Sequence, residues 1–378
     1  MTEVKHCGQS EQTKILCVGL ICVDIVQLCE EYVSEDSKKR CIDLKYQRGG
    51  NACNNCTVLS QLGCPVEFLG ILYNDELFNF IQQDMNKNNI EFSSCPIIEY
   101  GRLPISTVML SEKTGSRTIV HYTASNKELS LNDFKKVNLN DYSWIHFEGR
   151  NISEVSSMME YIKSYNDSLI RKQNETSNKL LSITTSVELE KPDDELLRLL
   201  KNADIAFISK DFARSRGLNS MTEAIANIKR YLKPGAILLS AWGDQGAMAL
   251  TPDGSIVHSP IYPPNKIVDT LGAGDTFNAG VLHYLNREKS KCITNCTSEF
   301  ACTSEIITTD ILRKAIQFGC QIAGLKISFR GFEKLGELLK RYFIVSSLDD
   351  YMVSTIAYLA VAVSEPADRS VSSITVWQ

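Results

Sequence analysis

The segment Val268-Asp269-Thr270-Leu271-Gly272-Ala273-Gly274-Asp275-Thr276-Phe277-Asn278-Ala279-Gly280, which runs into the apolar stretch VLHYL, carries the strongest chemical signal in the sequence. A Gly-Ala-Gly loop that opens a helix presents unpaired backbone N–H groups at the positive end of the helix dipole. Small residues are needed there because a larger side chain would hold an anion away. Such a cradle stabilises charge that develops on a transferred phosphoryl group. Asp275, one residue beyond the loop, stands where a carboxylate could take the proton of a hydroxyl attacking that phosphate. A plainer reading makes Asp275 the N-cap of an ordinary helix, and those four residues alone do not decide between the two.

A second set of short polar residues lies near the amino terminus. Asp24 ends an apolar strand-like run, where a carboxylate needs a partner to offset its burial. Asn51 and Asn54 stand at i and i+3 after Gly49-Gly50 and so share one face of a helix start. Either group suits the hydroxyls of a sugar, but Asn51 also reads as a cap and Asp24 as a strand-end turn residue. Arg117 lies in a β-rich hairpin around Lys113-Thr114-Gly115, and Trp242-Gly243-Asp244-Gln245-Gly246 follows the apolar run AILLS. Open α/β sheets bind ligands at the carboxyl ends of such runs. Trp242 reads equally well as a core anchor.

These groups need elements to hold them. Apolar runs at 14–22, 66–72, 143–148, 180–188, 203–209 and 236–242 read as buried strands, and helical patterns at 76–89, 151–170 and 221–232 fill the gaps. Strand and helix alternating at this spacing predict a mostly parallel sheet with helices on both faces. Two β-rich excursions, about 22–48 and 101–124, do not fit that layer and predict a small separate sheet, a lid beside the main domain. Residues 287–310, polar and rich in Ser, Thr and Cys, read as a surface insertion. The stretch 333–378 reads as an extension of unknown role, and its apolar segment MVSTIAYLAVAV is too short to span a bilayer.

Composition narrows the partners. The formal net charge is −5, with no long basic run, which argues against nucleic acid. The thirteen cysteines are odd in number and mostly sit in apolar runs, and the first residues lack the apolar core of a signal peptide. A reducing cytoplasm with no membrane attachment is the expectation. Cys53-x-x-Cys56 and Cys292-x-x-x-Cys296, followed by Cys302, have no neighbouring His to complete a zinc site.

Taken together, Asp269-Thr270-x-Gly272-Ala273-Gly274-Asp275 and Gly49-Gly50-Asn51-Ala52-Cys53-Asn54 resemble the two signature motifs of the ribokinase-like (PfkB) carbohydrate kinases, in the expected order and about 220 residues apart. The resemblance runs from residue 14 to 332. Segments outside those motifs, among them GLICVDIV, GSRTIVHY, WIHFEGRN, SVELEKP, FISKD and FGCQIAG, are similar to the branch that phosphorylates fructose at its C1 hydroxyl. The resemblance implies a three-layer α/β/α fold with a small β-sheet lid, and a homodimer joined through that lid. It implies fructose on Asp24, Gly50, Asn51, Asn54 and Asp275, with Asp275 as the base and Gly272–Gly274 as the anion hole. It places ATP along Gly243, Asp244, Gln245 and Gly246 and again along Gly272, Ala273 and Gly274, with Arg117 over the phosphates. Magnesium is expected with ATP, and potassium is implied by the family; neither receives named protein ligands. Two departures stand out. Many relatives carry an Asn-x-x-Glu motif where this chain has Ser209-Lys210-Asp211-Phe212. Ile327-Ser328 stands in the expected wall of the adenine pocket.

Overall fold

The computed structural model describes residues 14–123, 127–176, 182–295 and 306–345. In chain order its first strands are β1 (Lys14–Val18), β2 (Cys22–Cys29), β3 (Asp43–Gly49), β4 (Val66–Leu69), β5 (Leu72–Tyr73), β6 (Ile97–Ile98), β7 (Ile105–Ser111) and β8 (Arg117–Tyr122). They are followed by β9 (Tyr142–Glu148), β10 (Thr184–Leu189), β11 (Ile205–Ser209), β12 (Ile237–Ala241), β13 (Ala247–Leu250) and β14 (Ile256–Ser259). The helices are α1 (Asn51–Gln61), α2 (Phe78–Lys87), α3 (Leu131–Phe134), α4 (Ile152–Thr176), α5 (Lys210–Ser215), α6 (Met221–Ile228), α7 (Ala273–Asn295), α8 (Thr309–Lys326) and α9 (Glu333–Val345).

Eight strands form the main sheet in the order β14-β13-β12-β11-β10-β9-β1-β4. The pairings from β12 to β4 are parallel, and β13 and β14 add an antiparallel edge. Successive residues of a strand point to opposite faces, so this sheet feeds two cores. Ile15, Cys17, Trp144, Phe207 and Leu239 pack on one face with α1, α7, α8 and α9. Leu16, Val18, Phe147, Ile208 and Leu238 pack on the other with α4, α5 and α6. The result is a three-layer α/β/α arrangement, as the alternation of elements predicts. Strand order reverses direction at β1, which lies between β9 and β4, and this switch point is where such sheets open a crevice.

Four further strands form a second sheet in the order β3-β2-β7-β8. Its register puts Asp24, Ser106 and His121 in one row across the sheet, and Tyr46, Ile25, Thr107 and Val120 in the next, on the opposite face. The apolar run at 14–22 is therefore two strands in two sheets, broken by Gly19-Leu20-Ile21, a division that an unbroken apolar pattern hides.

Several segments differ from the sequence expectation. Residues 287–295, expected to open a surface insertion, continue α7. The reason is Lys289, whose buried Nζ donates to the Ser143 carbonyl at 3.0 Å, the Ser182 carbonyl at 2.7 Å and Thr184 Oγ1 at 2.7 Å. A polar residue with three internal acceptors can sit on the packed face of a helix, and that breaks the apolar period. Residues 296–305 lie outside the described residues, and α8 starts at Thr309 with the Thr308 hydroxyl capping Ile311. The stretch from 333 begins as α9, whose fully buried Leu335 and Leu339 belong to the main core. The apolar segment at 352–363 lies outside the described residues. Among the described residues no helix is long and apolar enough to cross a membrane.

Candidate active site

The two sequence motifs meet at the amino end of α7. Asp275 is the third residue of that helix, so it is no N-cap, and its Oδ2 accepts a 2.7 Å hydrogen bond from Asn54 Nδ2. Both side chains are buried, and 221 positions of sequence separate them. Asn51, the first residue of α1, donates to Glu190 Oε2 at 2.6 Å and leaves the cap position to Gly50. Gly50 is required there twice over: its φ is +99°, and a Cβ would overlap the Leu20 carbonyl. Gly49 backs directly onto the Asp24 carboxyl, which leaves no room for a side chain.

The loop before α7 is braced from beneath. Asp269, buried, accepts from Leu271 N–H at 2.9 Å, from the Gly331 N–H at 3.0 Å and from Lys326 Nζ at 2.9 Å. Lys326 is wholly buried at the end of α8, and its Nζ also donates to the Asp269 carbonyl at 3.1 Å. Gly272 has φ +75° and lies against the Phe332 ring, where a Cβ would collide. Ala273 N–H turns back to the Thr270 carbonyl at 3.3 Å, whereas Gly274 faces open space. From the small sheet, Arg117 Nη1 reaches this loop and donates to Thr270 Oγ1 at 3.1 Å.

A cavity of about 100 Å³ lies in front of these groups, lined by Asn51, Glu188, Glu190, Ser209, Gly274 and Asp275, among others. A larger one, about 220 Å³, opens at the β1–β9 switch point and is lined by Gly19, Leu20, Tyr73, Glu148 and Arg150. Glu148 Oε2 accepts from the Leu20 N–H at 2.8 Å and so closes the turn between the two sheets. Sequence reasoning missed the acidic pair Glu188 and Glu190. They lie two apart at the carboxyl end of β10, a spacing that puts both on one face, and only the sheet order brings them to α7.

Burial and charge crowding act together here. Burial, followed by the charges of Glu188 and Glu190, pushes the Asp275 carboxyl well above the ordinary range. Burial, then Glu148 and Glu190, pushes Glu188 up to about 8, although Asn278 Nδ2 donates to its Oε2 at 2.7 Å. His146, fully buried behind Glu188, is pushed down to about 3 by desolvation and stays neutral. Burial also raises Asp24, which hydrogen bonds from Ser106, Cys22 and Gln47 partly offset.

Of the predicted residues, Asn51, Gly274 and Asp275 line this cavity, whereas Asp24, Gly50, Asn54, Arg117, Gly272 and Ala273 do not. Gly243–Gln245 form a short 3-10 turn after β12, with Gly246 beyond it, and none of the four lines the cavity. Asp244 is exposed and pairs with Lys210 at 3.2 Å. Trp242 is fully buried with its indole N–H on Ser240 Oγ at 2.9 Å, which makes it a core anchor.

The family model described as pfkB family carbohydrate kinase matches residues 12–333. The chain belongs to the pfkB family of carbohydrate kinases. Within that family it is 38% identical over 323 residues to the ketohexokinase of Mus musculus, a match covering 85% of this chain and 99% of the relative. It is 24% identical to a fructokinase of Rhizobium leguminosarum bv. trifolii, over 64% of this chain and 72% of that one. Among solved structures, the ribokinase of Giardia lamblia superposes with a TM-score of 0.69 at 15% identity, covering 87% of this chain and 99% of that one. A fructokinase double mutant from Vibrio cholerae O395, in its fructose-, ADP- and potassium-bound form, gives a TM-score of 0.60 at 18% identity, with 87% and 96% covered. The pfkB fold and a carbohydrate kinase activity follow for this chain.

Proposed function

We propose that this carbohydrate kinase transfers the γ-phosphoryl group of ATP to the C1 hydroxyl of D-fructose, giving fructose 1-phosphate and ADP. The observation that carries this reading is the 2.7 Å hydrogen bond from Asn54 to Asp275 at the start of α7, which joins the sugar-type polar cluster to the phosphate-type loop. The 38% identity to the mouse ketohexokinase supports fructose as the sugar.

In this mechanism fructose lies between the two sheets, held by Asp24, Gly50, Asn51 and Asn54. Asp275 takes the C1 hydroxyl proton as that oxygen forms its bond to the γ-phosphorus, and the bond to the ADP oxygen breaks. The raised affinity of Asp275 for a proton makes it a stronger base than a surface carboxylate. Backbone amides of Gly272 and Gly274 receive the transferred group, with Gly274 facing open space; the Ala273 N–H, expected to share this role, is instead turned to the Thr270 carbonyl. Arg117 offsets charge from the small-sheet side, and the Gly243–Gly246 turn holds the nucleotide through its backbone. The small sheet acts as a lid whose closure excludes water and suppresses ATP hydrolysis.

Magnesium neutralises the phosphates when bound. Glu188 and Glu190, which line the cavity beside Asp275, offer hard oxygen donors that could reach it through water. Among the described residues no group of three His, Cys, Asp or Glu side chains is set to hold a metal by themselves, so phosphate oxygens would complete the shell. A potassium requirement rests on family resemblance, and replacing potassium by sodium in the assay tests it.

The chain is further proposed to form a homodimer. Leu44, Tyr46, Val120 and Tyr122 are 50–63% exposed on the small sheet, and the register gathers them on the face opposite Asp24. A second copy covering this apolar face would also protect the open edges of β3 and β8.

The test is ATP consumption by the purified protein with D-fructose, with ribose and adenosine as controls and analysis of the product. Fructose-dependent turnover to fructose 1-phosphate is expected. Asp275→Asn is expected to lower kcat by at least about a hundredfold while calorimetry still detects fructose binding. Near-normal turnover in that variant would refute the assignment of the base.

A further inference from the structure

The cavity before α7 already carries Glu188, Glu190 and Asp275, and a nucleotide polyphosphate brings several more negative charges to it. Cations of this chain must offset them. Arg117 does so from the small sheet, through its contact with Thr270. On the main-sheet side Lys210 is the residue next in sequence to the cavity-lining Ser209.

Lys210 follows Ser209 at the carboxyl end of β11, and Ser209 lines the same cavity as Gly274 and Asp275. Its Nζ lies over the Trp242 ring, 5.8 Å from the centroid, and the guanidinium of Arg214, four residues on, lies at 5.8 Å from the same ring. Trp242 is fully buried and anchored to Ser240, so the platform beneath the lysine is fixed. The ammonium itself is held differently. Its partner is Asp244 Oδ1 at 3.2 Å, and the Asp244 side chain is 77% exposed against 28% for Lys210. An ion pair with so hydrated a carboxylate holds its cation weakly. Asp244 also sits in the Gly243–Gly246 turn, the turn read above as gripping the nucleotide through its backbone.

We propose that Lys210 is a phosphate-contact residue of the nucleotide site, and that its ammonium exchanges Asp244 for a phosphate oxygen of the bound nucleotide. The proposal rests on the kinase reading above. Opposite roles follow for the two halves of the pair. Lys210 attracts the phosphates, whereas the Asp244 carboxylate competes for the lysine and repels them. A lysine that merely braced the turn would make the two residues equivalent.

The experiment is calorimetric titration of ADP, with magnesium, into the full chain and into Lys210→Met, Lys210→Arg and Asp244→Asn, alongside the KM for MgATP and for fructose. Lys210→Met is expected to weaken ADP and raise the MgATP KM by about ten- to a hundredfold, while the fructose KM stays within about twofold. Lys210→Arg, which keeps the charge, is expected to recover most of that loss, and Asp244→Asn to tighten ADP about twofold or more. Equal weakening by Lys210→Met and Asp244→Asn, or ADP affinity unmoved by Lys210→Met, would overturn the lysine assignment and leave the kinase reading intact. Failure of the unsubstituted protein to bind ADP would overturn both.

Discussion

At the scale of single residues the site is a crowd of carboxylates kept in order by amides. Asn54 holds Asp275, Asn278 holds Glu188, and Asn51 holds Glu190. Each amide donates one hydrogen bond to a carboxylate, and for Asp275 and Glu188 this works against burial and neighbouring charge, which raise them. The balance still lies on the protonated side for Glu188, at about 8, and its charge is among the causes that raise Asp275. A base works only when ionised, so turnover falls as pH drops through the Asp275 pKa. Glu188 raises Asp275 only where it is itself ionised, so replacing Glu188 by Gln lowers the Asp275 pKa there and moves that acid limb to lower pH. A pH profile of kcat/KM for both proteins measures it, and an unmoved limb would mean that the two carboxyls do not communicate. Asp24 and Asn51 had left two readings open in the sequence. The structure removes the cap reading for Asn51, because Gly50 holds that position.

At the scale of elements, the question is what fixes the short loop before α7. The answer comes from the other end of the chain: Lys326 from α8 and the Gly331 N–H meet on Asp269, and Phe332 fills the space that Gly272 leaves. An ion pair buried this completely is stable only while both partners are present. Lys326→Met is therefore expected to cost about 3–5 kcal/mol in urea unfolding, because it strands the Asp269 carboxylate. The double variant Asp269→Asn/Lys326→Met is expected to recover part of that loss. Additive losses would show that the pair is not coupled. None of this was legible beforehand, since Lys326 looks like any helix-terminal lysine. The helix α7 itself was legible in its first turns and not in its last, where Lys289 replaces an expected apolar residue by satisfying three acceptors.

At the scale of the whole molecule, two sheets divide the labour: one supplies the strand ends and the helix start, and the other supplies Asp24 and Arg117 together with an apolar outer face. If that face joins two copies, an acidic residue in its middle should separate them. Val120→Asp is expected to convert a dimer to a monomer in sedimentation or light-scattering measurements, with folding intact by circular dichroism, and a wild-type monomer would refute the interface. The sequence by itself determined the three-layer class and the kinase motifs. Strand and helix periods are local, and the Gly-Ala-Gly-Asp loop needs its small residues wherever the rest of the chain goes. Tertiary structure alone decided the division of residues 14–22 between two sheets, the packing of α9 into the core, and the meeting of Glu188 and Glu190 with Asp275 at α7. Those outcomes depend on strand order and on partners far away in the chain. Hydrogen bonds and burial between distant segments leave no periodic mark on the sequence of either one.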